Sequence, residues 1–342
     1  MDRIIQQAIV QVIRPLCEPH FADTNYGFRP NRSCEQAIIK LLEYINDGYD
    51  WIVDIDLEKF FDTVPQDRLM SLVHNIINDG DTESLIRKYL QAGVVINGQR
   101  HKTLDGTPQG GNLSPLLSNV VLNELDKELN KRGLRFVCYA DDCVITVGSE
   151  ASAKRVVYSI SRFIEKRLGL KVNMTKTKVT KPSNLKYLGF GFWKSSEGWK
   201  SRPHKESVEK FKCKLKRLTC RKWSIDLDTR IERLNWTLRG WINYFSLSNM
   251  KSVMTKIDER LRTRIRVIIW KQWKKKSKRL WGLLKLGVPR WIADKVSGWG
   301  NHYQLVAQKS VLKRAISKPI LIARGLVFCL DYYLERHALK VS

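Results

Sequence analysis

Acidic side chains set between apolar runs are the first feature of this 342-residue sequence that could do chemistry. Tyr139-Ala140-Asp141-Asp142 separates two short β-prone runs, 135–140 and 143–147, so the Asp pair belongs at the tip of a hairpin. Adjacent carboxylates repel each other and need a cation or ample water; a solvated turn meets that need without any chemistry. Asp56 ends a second β-prone run, 51–56, in which Trp51, Val53 and Ile55 point one way and Ile52, Asp54 and Asp56 the other. Alone it reads as a strand-end cap. Together the two segments supply what phosphoryl transfer by two divalent ions requires: carboxylates arriving from distant parts of the chain around ions roughly 3.5–4 Å apart. Mg²⁺ prefers such hard oxygen ligands. Between them lies Gly106-Thr107-Pro108-Gln109-Gly110-Gly111-Asn112-Leu113-Ser114-Pro115, where glycines permit close backbone approach and the turn leads straight into a helix. In isolation that stretch is an ordinary loop before a helix.

The elements that must carry these groups follow from periodicity. Residues 33–46 form a helix with Ser33 as N-cap and Glu35 and Gln36 in its first turn. Further helices are expected at 69–77, 114–129 and 151–167, a strand at 170–173 and a hairpin at 185–192. Beyond residue 200 the pattern is helical, at 207–219, 228–244 and 251–280, until Pro289 and Gly298 break a shorter tail. Trp236, Trp241 and Tyr244 recur at helical spacing, which favours core packing over base stacking.

Charge divides the chain at the same place. Residues 201–290 hold 26 Lys/Arg against 7 Asp/Glu, out of 61 against 34 overall, and a net charge of +27 calls for a polyanionic partner. Seven cysteines with no CxxC pair read as buried apolar residues of a reducing compartment. No secretory leader is visible, and Arg324 and Asp331 interrupt the longest apolar stretch, 319–334, so no membrane partner and an intracellular setting are expected.

The order of the blocks is that of a right-hand palm, and here a resemblance becomes specific. Asp56-Leu57-Glu58-Lys59-Phe60-Phe61-Asp62, the Gly106–Pro115 loop, Tyr139-Ala140-Asp141-Asp142 and Tyr187-Leu188-Gly189-Phe190 resemble the reverse transcriptase blocks of group II intron maturases. Asn25-Tyr26-Gly27-Phe28-Arg29-Pro30-Asn31-Arg32-Ser33 and Asn173-Met174-Thr175-Lys176-Thr177 are similar to flanking blocks, and the 234–245 stretch is similar to the family's thumb, or maturase region. The resemblance implies an α+β fold: a palm with partial fingers over 1–200, a helical thumb over 201–285 and a helical extension over 286–342. It implies RNA-directed DNA synthesis with two Mg²⁺ ions, or Mn²⁺, on Asp56, Asp141 and Asp142. The family spacing of an aromatic five residues after the catalytic Asp favours Asp56, which has Phe61 there, over Asp54, which has Lys59.

By the same resemblance Phe61 gates the sugar, Gln109 contacts the incoming nucleotide, Tyr139 lies beside the primer end, and Leu188-Gly189 grips the primer strand. A core phenylalanine beside Phe60 explains Phe61 equally simply, and a solvated lysine explains Lys176, otherwise a phosphate contact. Arg260, Arg262, Arg264, Arg266, Lys274, Lys275, Lys276, Lys278 and Arg279 are expected to line RNA, with binding that weakens steeply with salt. The partners implied are intron RNA, an RNA template, a DNA primer and deoxynucleoside triphosphates; the setting implied is a cytoplasmic ribonucleoprotein in a bacterium, or an organelle. The family carries further N-terminal fingers and often an endonuclease module. Residues 1–9 resemble only the tail of the fingers block and no His-rich endonuclease pattern is expected, so a catalytically impaired RNA-binding splicing cofactor or a fragment is the rival expectation.

Overall fold

The structure is a computed structural model that describes residues 2–96, 99–101, 105–108 and 110–341. The chain divides into two compact units, Met1–Lys200 and Ser201–Ser342. The first opens with helix α1 (Asp2–Cys17) and helix α2 (Cys34–Asn46), whose start is fixed by a reciprocal capping box between Ser33 and Gln36. Strand β1 (Trp51–Ile55) is followed by α3 (Phe60–Thr63), α4 (Gln66–Ile77), α5 (Gly80–Gln91) and a short hairpin, β2 (Val94–Ile96) and β3 (Gln99–His101). Then come α6 (Ser114–Lys131), the hairpin β4 (Arg135–Tyr139) and β5 (Asp142–Val147), α7 (Glu150–Phe163) and β6 (Lys178–Thr180). A three-stranded sheet follows, β7 (Lys186–Tyr187), β8 (Phe190–Ser195) and β9 (Gly198–Pro203), its last strand running past Lys200.

Four antiparallel strands in the order β4–β5–β1–β6 form the central sheet. Val53, Ile55, Phe136 and Ile145 share one face and pack into a buried core with Leu117, Val121 and Ile160 from α6 and α7. The carboxyl-bearing residues of β1 alternate to the opposite face. The expected strand at 170–173 is absent: Val172 makes a single bridge to Leu57, and the paired strand is β6 instead. The cause is local. Asn173 Oδ1 accepts from the Thr175 and Lys176 amides at 3.2 and 3.3 Å, turning the chain before a ladder can form.

Helix α6 carries its expected apolar residues Leu117, Val120, Val121 and Leu125, and it is buried on its polar side as well. There Ser118, Asn119, Asn123 and Asp126 form an interior stripe. Asn119 donates to the Gly27 carbonyl at 2.8 Å, Asn123 to the His20 carbonyl at 2.9 Å, and Asp126 accepts from Asn25 at 3.0 Å. The helix thereby supplies partners for a loop that would otherwise bury unpaired backbone groups.

Beyond β9 the second unit is helical: α8 (Lys205–Leu218), α9 (Leu227–Phe245), α10 (Lys251–Gln272), α11 (Lys276–Lys285), α12 (Arg290–Ser297), α13 (Tyr303–Gln308), α14 (Ser310–Ala315), α15 (Lys318–Ala323) and α16 (Cys329–Val341). The long helix expected over 251–280 is two helices. The Trp273 ring lies where a Cβ on Gly282 would stand, 2.6 Å from its nearest atom, so only glycine lets α11 fold back onto α10. No helix among the described residues is long and apolar enough to cross a membrane.

Asp126 provides a test of this interior. Burial pushes its carboxyl up to about 6, against hydrogen bonds from Cys138 and Asn25 that pull it down. Because the folded chain holds this proton more tightly than the unfolded one, the contribution of Asp126 to stability is full below about pH 4 and is lost as pH rises through about 6. Asp126→Asn keeps an acceptor for Asn25 without the charge. From urea titrations at pH 4 and pH 7, we expect the variant to gain on wild type by on the order of 2–3 kcal/mol across that interval. Parallel stability curves would refute the assignment.

Candidate active site and nucleic-acid surface

The register of the sheet brings the distant carboxylates together. Ile55 pairs with Cys143, so the next residues along, Asp56 and Asp142, meet across β1 and β5. Tyr139 pairs with Asp142, leaving Ala140 and Asp141 as a two-residue turn with Ala140 at φ 56. Asp54 lies on the same face. Partial withdrawal from water, then the charges of Asp141 and Asp56, push Asp142 up to about 6, although its side chain opens to solvent. Burial, then Asp142 and Asp56, push Asp54 up to about 6, against the pull of Lys178 across the ladder. Burial and crowded like charges at one end of the sheet thus act in the same direction, with burial the larger.

Asp56 is held by the Asn173–Thr177 block. Its carbonyl accepts from the Asn173 amide at 2.8 Å, and its amide donates to Thr177 Oγ1 at 3.2 Å. Its carboxyl is split in environment: Oδ2 stands 3.6 Å from Lys176 Nζ, whereas Oδ1 is buried with no hydrogen-bond partner. Among the described residues no three His, Cys, Asp or Glu side chains stand close enough to hold an ion as they are. The donor set itself suits a hard divalent cation: carboxylate oxygens only, one of them buried and unpaired. Neither Asn173 nor Thr177 had a signal at the level of residue type beyond the block they share with Lys176.

The turn bearing Asp141 is backed by a second loop. The Tyr26 amide donates to the Cys138 carbonyl at 2.9 Å and the Cys138 amide to the Thr24 carbonyl at 3.0 Å. Gly27 then packs so tightly that a Cβ on it would stand 2.2 Å from the Ala140 nitrogen. Arg29 locks the loop from behind, donating to Glu18 at 2.9 Å and to the Ala22 carbonyl at 2.6 Å. Phe28, at φ 55 and half-exposed, sets its ring 6.3 Å from that of Tyr139.

Phe61 is half-buried, edge-on to buried Phe60 at 5.3 Å. Its carbonyl accepts from the Thr107 amide at 2.7 Å, and the Gly106 amide donates to the Val64 carbonyl at 2.8 Å, which pins the glycine loop beside it. Gly106 has φ +85 and sits 2.6 Å, measured from its would-be Cβ, from the Phe61 oxygen. Gln109 lies outside the described residues. Leu188 and Gly189, at φ 48 and φ 80, are the two central residues of a type I′ turn between β7 and β8. Tyr187 beside them is buried, donates to the Val137 carbonyl at 3.3 Å, and has its hydroxyl pushed up by burial and by its thiol and carboxyl neighbours, Asp142 and Asp54 included.

In the second unit, 34 Lys/Arg face 10 Asp/Glu. Not all of the expected RNA-lining residues are available. Arg266 is 5% exposed and donates to the Ile316 carbonyl; Arg279 is 7% exposed and donates to the carbonyls of Trp273 and Trp299. Both are corrections: buried guanidinium groups with carbonyl partners hold helix ends together and cannot reach RNA. Arg264 is half-buried, bonded to Thr219 and to the Lys216 carbonyl at the end of α8. Arg260 and Lys274, Lys275, Lys276 and Lys278 are exposed, and Arg262 is half-buried. A groove of about 330 Å³ between α8 and α10 is lined by Lys212, Lys216, Arg260 and Arg264. Of the three aromatics of α9 expected to pack in the core, two depart from expectation. Trp241 stacks on Phe211 at 4.3 Å, but Trp236 is 65% and Tyr244 43% exposed.

Residues 1–192 match the reverse transcriptase (RNA-dependent DNA polymerase) family. The chain belongs to that family. Residues 208–287 match the group II intron maturase-specific domain, so reverse transcriptase and maturase domains follow one another as they do in group II intron proteins. The group II intron-encoded protein LtrA of Lactococcus lactis is 42% identical over 135 residues, which are 40% of this chain and 22% of that protein. Protein YkfC of Escherichia coli is 32% identical over 216 residues, 52% of this chain and 57% of that one. The chain thus spans between about a fifth and three-fifths of these relatives' lengths. Telomerase from Candida albicans, solved with a fragment of telomeric RNA, shares the fold: TM-score 0.51 at 13% identity, covering 94% of this chain and 55% of that one. The α+β palm followed by a helical region is therefore the reverse transcriptase architecture.

Within this reverse transcriptase domain, Gly27 is the sharpest steric constraint near the aspartates. Gly27→Ala is expected to destabilise the chain by about 1–3 kcal/mol, the usual range for forcing a methyl group into packed backbone. Gly148→Ala, where nothing lies within 4 Å, serves as control and should change little. Equal denaturant midpoints for the two variants would show that the hairpin is not held by this contact.

Proposed function

We propose that this chain extends a DNA primer on an RNA template from deoxynucleoside triphosphates, and that its helical unit binds the intron RNA and assists splicing. What carries the reading is the meeting of Asp56 with the Asp141-Asp142 turn at one end of the sheet, with one buried Asp56 oxygen left unpaired. Asp56, Asp141 and Asp142 would hold two Mg²⁺ ions, or Mn²⁺. When bound, such a pair stabilises the attacking and leaving oxygens of an in-line displacement.

The chain's own work is positioning, because the primer's hydroxyl is the nucleophile and no protein nucleophile is needed. Asn173 and Thr177 fix the backbone of Asp56, and Lys176 offsets the carboxylate repulsion and is poised for a phosphate. Phe61, braced by Phe60 and by the glycine loop, closes the space under the sugar against a 2′-hydroxyl. Gln109 contacts the incoming nucleotide, and Tyr139 and the Leu188-Gly189 turn touch the primer strand. Arg260 and the Lys274–Lys276 run supply phosphate contacts in the second unit.

Primer extension on an RNA template tests the reading. Wild type should extend with deoxynucleotides and Mg²⁺, and Asp141→Ala should lose on the order of a thousandfold in rate, as removal of a preorganised electrostatic group does. Phe61→Ala should keep extension and admit ribonucleotides. Tight, salt-sensitive RNA binding without any extension would replace polymerisation with a splicing-cofactor role.

A further inference from the structure

Helix α9 contains a glycine that the chain does not need. Gly240 lies mid-helix and exposed, and apart from the adjoining backbone of its own helix nothing stands within 4 Å of the place where its Cβ would be. Glycine is the worst non-proline residue in a helix interior, and here neither a positive φ nor internal packing accounts for it. One turn before it, on the same face, is Trp236, 65% exposed although large aromatics are normally mostly buried. Arg239 is exposed beside them, and so are Arg233, Glu232 and Asn243, whose Oδ1 accepts from the Tyr332 hydroxyl at 3.0 Å. An exposed indole next to bare helix backbone is a flat, open ledge with a cation at its edge.

We propose that this ledge is a binding site for unpaired RNA bases: one base stacks on Trp236, the adjoining sugar-phosphate lies over Gly240, and Arg239 takes a phosphate. The proposal rests on the RNA-binding reading above and assigns it a second mode, distinct from the phosphate contacts of the lysine run. An RNA strand fits this ledge better than a protein partner does, because the unit carries 34 basic against 10 acidic residues. Stacking needs an open π-face and close approach, which Trp236 and Gly240 supply together, and every base can use it. Duplex RNA, whose bases are already stacked on one another, cannot. A side chain at 240 would lean back over the preceding turn, onto the Trp236 ring.

Fluorescence anisotropy with the full chain tests this, using a labelled single-stranded RNA and a blunt duplex of equal length at fixed salt. Trp236→Ala should weaken the single strand by about 5- to 100-fold, the usual worth of one stacked base, and leave the duplex within twofold. Trp236→Phe should recover much of the loss. Gly240→Leu should weaken the single strand similarly while raising Tm by about 2–4 °C, because it removes a helix-interior glycine. A damaged fold cannot mimic that combination. Alanines at Lys274, Lys275 and Lys276 should instead weaken both probes and lower the salt slope by about one per lysine. If Trp236→Ala and Gly240→Leu bind the single strand like wild type while wild type binds it well, the ledge is refuted and the RNA-binding reading stands. A wild type that ignores both probes refutes both.

Discussion

Carboxyl groups crowded at one end of a sheet repel each other, and most of the first unit can be understood as scaffolding that keeps them there. Asp54, Asp56 and Asp142 share a face, and the carboxyls of Asp54 and Asp142 are pushed up to about 6, first by burial and then by their acidic neighbours. Such crowding survives only if the backbone beneath cannot yield. Asp56 is tied on both sides by the 173–177 turn, and the hairpin tip is wedged by Gly27 and the loop that Arg29 locks. Asn119, Asn123 and Asp126 of α6 secure that loop from inside the core. Two blocks that look like flanking motifs in the sequence are therefore braces for the aspartates.

What the sequence made legible were features that local rules control. The alternation in 51–56 set the faces of β1, and β-prone runs around Asp141-Asp142 set the hairpin. Ser33 with Gln36 marked the start of α2. The missing strand at 170–173 shows where local rules fail: the run is apolar enough, but the Asn173 side chain captures the next amides and diverts the chain. The polar stripe of α6 was illegible for a different reason. Buried Asn and Asp side chains make sense only once the loop carbonyls and amides they serve, a hundred residues away, are in place.

The basic half separates charge from availability. A count of Lys and Arg treats every cation as a surface group, yet Arg266, Arg279 and Arg230 are buried and donate to backbone carbonyls at helix ends and loops. Guanidinium groups suit this duty, with several fixed donors and weak hydration, whereas lysines remain in solvent. The exposed cations are mostly lysines and the structural ones arginines. Residue type therefore discriminated within the charge runs better than position did.

Aromatic periodicity misled in the opposite direction. Trp236, Trp241 and Tyr244 recur at helical spacing, but a helix of about 3.6 residues per turn lets a residue five positions on rotate well away from the first. Trp241 turns inward to stack on Phe211, and Trp236 turns out. The informative contrast was between Trp236 and Gly240: a large aromatic side chain left in water beside the least helix-prone residue tolerated in a helix. Both violate what folding alone favours, on the same face and one turn apart. Where a sequence breaks two independent local rules at one spot with no internal gain, function is the first place to look for the compensation.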